Sequence, residues 1–182
     1  MIFCPSYAFM NEVAAHFENL CMYEQADTEI LIQTNDMTEQ DKEDFLHSFN
    51  ADGRTIAGFC VTGGIFSEGI DLKEDSLIGV IIVGTGLPMI CRQRELLRGY
   101  FDENNKDGYA YAYVYPGMNK VLQAAGRVIR TVSDYGIIEL LDDRFMTRQY
   151  TSLYPREWDE VYPVSHYQLR EILSDFWENI VQ

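Results

Sequence analysis

Short apolar runs alternate along this chain with stretches whose apolar residues recur at helical spacing. Ile2 to Cys4 is a brief apolar run stopped by Pro5. From Ala8 to Leu20, Met10, Val13, Ala14 and Phe17 fall at helical intervals and predict a helix. Glu29 to Thr34 reads as a strand. Thr38-Glu39-Gln40-Asp41 has the form of a capping box, which opens a helix carrying Phe45 and Phe49. Ala57 to Val61 and Leu77 to Val83 are apolar on consecutive positions, as strands covered on both faces are. A helix over Cys91 to Phe101, a strand over Tyr109 to Tyr115, a helix from about Asn119 to Thr131 and a strand from Gly136 to Leu141 complete the series.

Six strands separated by helices predict an α/β domain, a mainly parallel sheet with helices on both faces. The end of the chain differs. After Tyr154-Pro155 and Tyr162-Pro163, Ser165-x-x-Gln168 forms a second capping-box pattern. Leu169, Ile172, Leu173, Phe176, Trp177 and Ile180 then make one apolar face of an amphipathic helix. With no internal repeat and no clear linker, residues 1–158 are expected to form one domain. Residues 159–182 are expected to be a helical extension packed on it. The first strand starts at residue 2 without a lead-in, so the chain is expected to be part of something larger.

Length and composition narrow the class. The chain has 182 residues, 47% of them hydrophobic and 24% charged, which excludes a collagen, a disordered tail and a low-complexity linker. The longest apolar run, Leu77 to Gly84, is far shorter than the ~20 residues of a bilayer-spanning helix, and no membrane partner is expected. Met1 to Pro5 lacks the basic stretch of a signal peptide. Cys4, Cys21, Cys60 and Cys91 are scattered with no C-x-x-C pair, so the expectation is reduced thiols in a cytoplasm, with no metal site. The net charge of −15 argues against non-specific nucleic-acid binding, because phosphate contacts need Lys and Arg. The distribution changes that picture. Seven of the 14 basic residues lie between Arg92 and Arg130, so any polyanion site should be local.

Several familiar motifs fail on inspection. Gly64-x4-Gly69 has the glycine spacing of a phosphate-cradling loop, but Ile70-Asp71 stands where Lys-Ser/Thr is required. Ile65 occupies the first glycine of G-x-S-x-G around Ser67. Aligning Gly108 with the turn glycine of a calcium loop puts Val114 where the bidentate Glu belongs. His16, His47 and His166 have no spaced Cys or His partner. No complete active site is present.

Two segments carry chemistry. On a helix, Lys120, Gln123, Arg127 and Arg130 fall at i, i+3, i+7 and i+10 and share one face, with Val121, Leu122, Ala125, Val128 and Ile129 largely on the other. Two guanidinium forks and an amide aimed together form an anion grip. A solvated face with surface ion pairs fits the same spacing. Thr62-Gly63-Gly64-Ile65-Phe66-Ser67-Glu68-Gly69-Ile70-Asp71-Leu72 leaves the carboxyl end of a buried strand, where open α/β sheets bind ligands. Glu68 and Asp71 there are acceptors for a hydroxyl or for arginines across a site. A tight loop with an ordinary capping acid fits equally.

In this order the two segments resemble motifs V and VI of superfamily-two helicases, specifically the XPD/DinG-like DNA helicases, in their second RecA-like lobe. Phe3-Cys4-Pro5-Ser6-Tyr7 is similar to motif IV, Gly64 to Asp71 to motif V, and Gln123 to Arg130 to motif VI. Motif VI is extended by Asp134-Tyr135-Gly136 and Asp142-Asp143-Arg144. The likeness runs from residue 2 to about 158. It implies a RecA-like, P-loop-NTPase-type lobe without its own Walker A. Arg127 and Arg130 are implied as arginine fingers on the γ-phosphate of ATP, with Gln123 at the same site. Glu68, Gly69 and Asp71 are implied to face the nucleotide, Asp71 toward the ribose, with Glu68 linking nucleotide state to the DNA track. Ser6, Tyr7, Thr62 and Gly63 are implied to lie along single-stranded DNA through hydroxyls and backbone N–H groups.

The departures from the family are as informative. No Walker A lysine or DEAH-type box is present, so ATP and its Mg²⁺ would be held mainly by an N-terminal RecA-like lobe of the same polypeptide. The four-cysteine iron–sulfur cluster of some relatives has no counterpart in this chain. The lobe alone is therefore expected to be inactive as a DNA-repair type helicase. The alternative is a non-catalytic RecA-like module that binds a protein partner, which the acidic charge and the 12 tyrosines favour.

Overall fold

The computed structural model describes residues 1–50, 53–66, 77–129, 134–158 and 161–180. Among them five strands pair in the order β2-β3-β1-β4-β5. They are β1 (Ile2–Cys4), β2 (Thr28–Ile32), β3 (Thr55–Val61), β4 (Gly79–Val83) and β5 (Ile137–Leu141). Every pairing is parallel, with Ile2 opposite Phe59 on one side and Ile81 on the other. β1 therefore sits at the centre, as its unbroken apolar run requires of a strand covered on both faces.

Helix α1 (Tyr7–Glu24) starts where Ser6 adopts an extended backbone and its Oγ accepts a hydrogen bond from the Phe9 N–H at 3.3 Å. Its Met10 and Ala14 pack with Cys4, Ala57 and Phe59 on one face of the sheet, and Phe17 meets Phe59 edge-on at 5.5 Å between ring centroids. Helix α2 (Glu39–Ser48) opens with the expected capping box: the Thr38 hydroxyl accepts from the Asp41 N–H, and the Asp41 carboxylate from the Thr38 N–H at 2.7 Å. It covers the opposite face. A side chain at Gly58 would run into the Phe49 ring, and Phe45 stacks on Phe66 at 4.3 Å. Helix α3 (Arg92–Glu103) begins at the expected position.

The stretch predicted as a sixth strand is helical. Ala110–Val114 forms a π-helical segment that runs into α4 (Tyr115–Ala125). The Tyr–Ala alternation mimics a strand's period of two, yet Ala110, Ala112, Tyr113 and Val114 are all buried. Pro116 supplies the local reason. It has no N–H to give to Ala112, four residues earlier, and its ring crowds that carbonyl in an α-helix. The helix widens instead, with the Tyr115 N–H donating to the Ala110 carbonyl. Arg94 of α3 donates from Nη1 to the freed Ala112 carbonyl at 2.8 Å, and the Tyr113 hydroxyl donates to Glu95.

A second difference lies at the other end of α4, expected to run from Asn119 to Thr131. It starts four residues earlier, in the turn set up by Pro116, and ends at Ala125 with Gly126 as its cap. Beyond it the Arg127 N–H donates to the Ala124 carbonyl and the Val128 N–H to Ala125, both at 3.2 Å. These i→i+3 bonds tighten the chain into a turn, so Arg127 does not continue the α-helical face of Gln123. Residues 130–133 lie outside the described residues.

The chain divides into two compact units, Met1–Phe145 and Met146–Gln182. The second holds α5 (Arg148–Thr151) and the predicted terminal helix α6 (His166–Ile180), before which the Ser165 N–H and hydroxyl both donate to the Gln168 carboxamide. No helix among the described residues is long and apolar enough to cross a membrane.

Because Phe59 is fully buried where β3 meets α1, Phe59→Ala should destabilise the protein by about 3–5 kcal/mol. Urea unfolding that moves by less than 1 kcal/mol would show that this face is not the core.

Candidate functional site

Parallel strands bring all their carboxyl ends to one edge of the sheet. β1 and β4 are neighbours there, and the chain leaves them in opposite directions, toward β2 and toward β5. Such a switch point opens a crevice between the two departing loops. Around it stand Ser6 and Tyr7 after β1, Gln33 after β2, Thr62 to Phe66 after β3, and Gly84 to Leu87 after β4.

Gln33 ties three of these loops together. It is only 2% exposed, and its Oε1 accepts from the Val61 N–H at 2.9 Å while its Nε2 donates to the Tyr7 hydroxyl at 2.8 Å. Its own N–H donates to the Phe59 carbonyl at 2.9 Å. Thr62 extends the β1–β3 ladder by one bond, its N–H donating to the Cys4 carbonyl at 2.8 Å. The chain then turns sharply: the Gly64 N–H donates to the Val61 carbonyl at 2.9 Å, and Gly63 has φ +75°. That backbone region is open to glycine and strained for a side chain. Ser6 is exposed beside the turn, with Tyr7 half-buried.

Helix α4 reaches the same edge by close backbone approach. A Cβ at Gly117 would stand 2.7 Å from the Thr85 carbonyl oxygen, and one at Gly86 would stand 2.8 Å from the Gly117 carbonyl oxygen. One helical turn further, Lys120 lies over Gly63. Its Cδ and Cε are 2.9 Å, and its Nζ 3.1 Å, from where a Gly63 Cβ would be. Gln123 follows on the exposed side of α4, and Arg127 is half-buried in the turn beyond. The turn that leads into the motif-V-like segment and the helix that leads into the motif-VI-like one, more than 50 residues apart in the chain, are thus in contact through Gly63 and Lys120.

At the carboxyl end of β5, Arg144 grips Asp142 with both Nε and Nη2, at 2.8 and 2.7 Å, and adds a backbone N–H bond at 2.9 Å. The guanidinium holds the Asp142 carboxyl below its ordinary range. Burial pushes the Cys4 thiol up to about 11 and the Cys60 thiol up to about 12, so neither is a nucleophile at neutral pH.

The structure brings Ser6, Tyr7, Thr62 and Gly63 to one edge and sets α4, with Gln123, against it. Glu68, Gly69, Asp71 and Arg130 lie outside the described residues. Sequence reasoning missed Gln33, which it placed inside a strand, and Thr85, which it did not weigh. A polar residue directly after the apolar run Ile30-Leu31-Ile32 was the available signal for Gln33.

The helicase C-terminal domain family matches residues 1–161, and the chain belongs to that family. Among its relatives, the ATP-dependent DNA helicase CHL1 of Candida albicans is 28% identical over 162 residues, covering 81% of this chain and 19% of the relative. The XPD/RAD3 helicase subunit of general transcription and DNA repair factor IIH from Saccharomyces cerevisiae is 24% identical over 155 residues, covering 82% of this chain and 20% of the relative. A solved XPD helicase structure superposes with a TM-score of 0.64 at 23% identity, over 84% of this chain and 26% of its own, and shows the shared RecA-like fold. The chain spans about a fifth of the length of these curated relatives. Helix α6 lies beyond the matched region.

Gln33→Ala should cost about 1–3 kcal/mol by leaving the Val61 N–H and Tyr7 hydroxyl without their partner. Amide exchange at Val61 should speed up with it, and protection as strong as in the parent would show that the bridge carries no stability. The Asp142–Arg144 grip should show in a pH series. The folded-state value of Asp142 is depressed, so its contribution is present above the unfolded value near 3.8 and is lost as pH falls through the folded one. The stability gap between the parent and Asp142→Asn should therefore be open at pH 7 and close below pH 3.8. A gap independent of pH would rule out the ion pair as its source.

Proposed function

We propose that this chain is the C-terminal motor lobe of an ATP-dependent DNA helicase of the XPD/DinG-like kind. The observation that carries the proposal is the Gly63–Lys120 contact: it joins a loop suited to a nucleic-acid strand to the helix that leads into the arginine segment. Family membership and the names of the relatives support it.

In this proposal Arg127 and Arg130 face the γ-phosphate of ATP held by an N-terminal RecA-like lobe, and Gln123 stands at the same site. As charge develops on the transferred phosphoryl group, guanidinium donors fixed in a water-poor cleft stabilise it without reorganising. Mg²⁺ belongs with the other lobe, because the chain carries no Walker A lysine and hydroxyl or DEAH-type box to hold it, and Gln123, Arg127 and Arg130 suit phosphate oxygens rather than a divalent cation. Glu68, Gly69 and Asp71, which follow β3 in the sequence, are assigned to the nucleotide. Ser6, Tyr7, Thr62 and Gly63 line the single-stranded DNA track, where hydroxyls and backbone N–H groups bind phosphates despite a net charge of −15. Closing the cleft on ATP and opening it after hydrolysis would shift the lobe along the strand, with the α4 contact carrying the movement from one site to the other.

The test is ATP hydrolysis with and without single-stranded DNA, first for this chain alone and then with an N-terminal lobe supplied on the same polypeptide. Silence alone and DNA-stimulated turnover when joined is the expected result. No turnover in either form would favour a protein-binding module. In the joined protein Arg130→Ala should slow turnover by ~10³-fold or more. Near-normal turnover in that variant would remove the finger role.

A further inference from the structure

Among the described residues some basic side chains are held by carboxylates or rings, and others, Lys120 with Arg92, Arg148, Arg156 and Arg170, make no ion pair. Lys42, Arg54, Arg98 and Arg144 each reach a carboxylate, and Lys106 sits over the rings of Phe101 and Tyr111. Lys120 is half-buried, and among the described residues no carboxylate pairs with it. What sets Lys120 apart from those others is its place, at the carboxyl edge of the sheet over the turn that follows β3.

Its stem lies over Gly63, whose missing side chain leaves that surface to Lys120. Thr62, just before Gly63, and Thr85, after β4, are 8% and 1% exposed, and their hydroxyls have no hydrogen-bond partner among the described residues. The Thr62 methyl packs 3.5 Å from the Cβ position of Gly86, so the two threonine loops adjoin. Buried hydroxyls left unsatisfied cost stability, and an anion drawing in with its water would supply the missing acceptors and donors. The glycine turn, the two buried threonines and the lysine thus lie along one stretch of the sheet's carboxyl edge.

We propose that Lys120 binds a phosphodiester oxygen of single-stranded nucleic acid over the Thr62–Gly63 turn, making α4 itself part of the strand track. The inference rests on the helicase reading and deepens it, since the residue that touches the strand stands on the helix that leads to Gln123 and Arg127. Strand and nucleotide phosphates share one chemistry, and Lys120 is assigned to the strand because it turns toward Gly63.

The test is an NMR titration of this chain at low salt with a 20-nucleotide oligothymidylate, following the Gly63 amide and the Lys120 side chain, with ATP as a parallel arm. The parent should show saturating shifts at Gly63 with the oligonucleotide and none with ATP. Lys120→Met keeps the stem and removes the charge. At 50 mM salt it should bind about 5- to 10-fold more weakly, and the salt slope should fall by about 0.7, the share of one single-strand phosphate. Lys120→Arg should restore the slope, and Lys106→Met should leave both quantities unchanged. Unchanged affinity and slope in Lys120→Met, with Gly63 still shifting, overturns the Lys120 assignment alone. The same shifts appearing with ATP overturn the choice of strand over nucleotide. No shift at Gly63 or Ser6 at millimolar oligonucleotide overturns the strand track itself, and the proposal with it.

Discussion

The close approach of two glycine backbones sets the geometry of this lobe. Gly117 of α4 and Gly86 after β4 meet so tightly that a Cβ on either would strike the other's loop or helix. With that contact made, α4 has no freedom to slide along the sheet edge, and its register decides what stands over the Thr62–Gly63 turn. Lys120, one turn on, falls over Gly63. Dispersion forces between backbones in contact act only when the shapes fit, and the absence of two methyl groups makes this fit possible.

The π-helical segment serves the same end from the other side. Pro116 cannot continue an α-helical ladder, and the widened turn moves α4 off the axis that a straight helix would follow. Arg94 and Glu95 of α3 hold that turn through Ala112 and Tyr113, so α3, the π segment and α4 form one brace. An irregular backbone beside a functional helix is often read as slack. Here its freed carbonyl is satisfied by a guanidinium, which makes the irregularity a fixed joint.

Acidity and a nucleic-acid role coexist because the charges are sorted. Several basic side chains of the lobe are engaged with nearby carboxylates or aromatic rings, while the strand-end edge offers hydroxyls, backbone N–H groups and Lys120. The net negative charge weakens indiscriminate attraction to polyanions and leaves binding to the few positions where geometry supplies donors. The proposed functional division follows the same logic, with one loop facing the strand, one helix leading to the phosphate, and a contact between them.

Local chemistry alone determined much of this protein. Consecutive apolar positions made β1, β3 and β4 buried parallel strands, Thr38 and Asp41 set the start of α2, and the order of the Gly64 and Gln123 segments pointed to the helicase family. These signals are legible because each lies within a few residues of chain and depends on period or capping. The Tyr109–Tyr115 stretch was not legible: its alternation suits a strand, whereas the structure widens a helix there before Pro116 and satisfies the freed Ala112 carbonyl with Arg94 from another helix. Gln33 likewise looks like the end of a strand until Tyr7 and Val61 arrive beside it. The seat over Gly63 was decided by tertiary structure alone, because it needs a glycine's missing side chain and a lysine 57 residues away to meet across the sheet edge. Contacts of that kind have no period and no spacing to read.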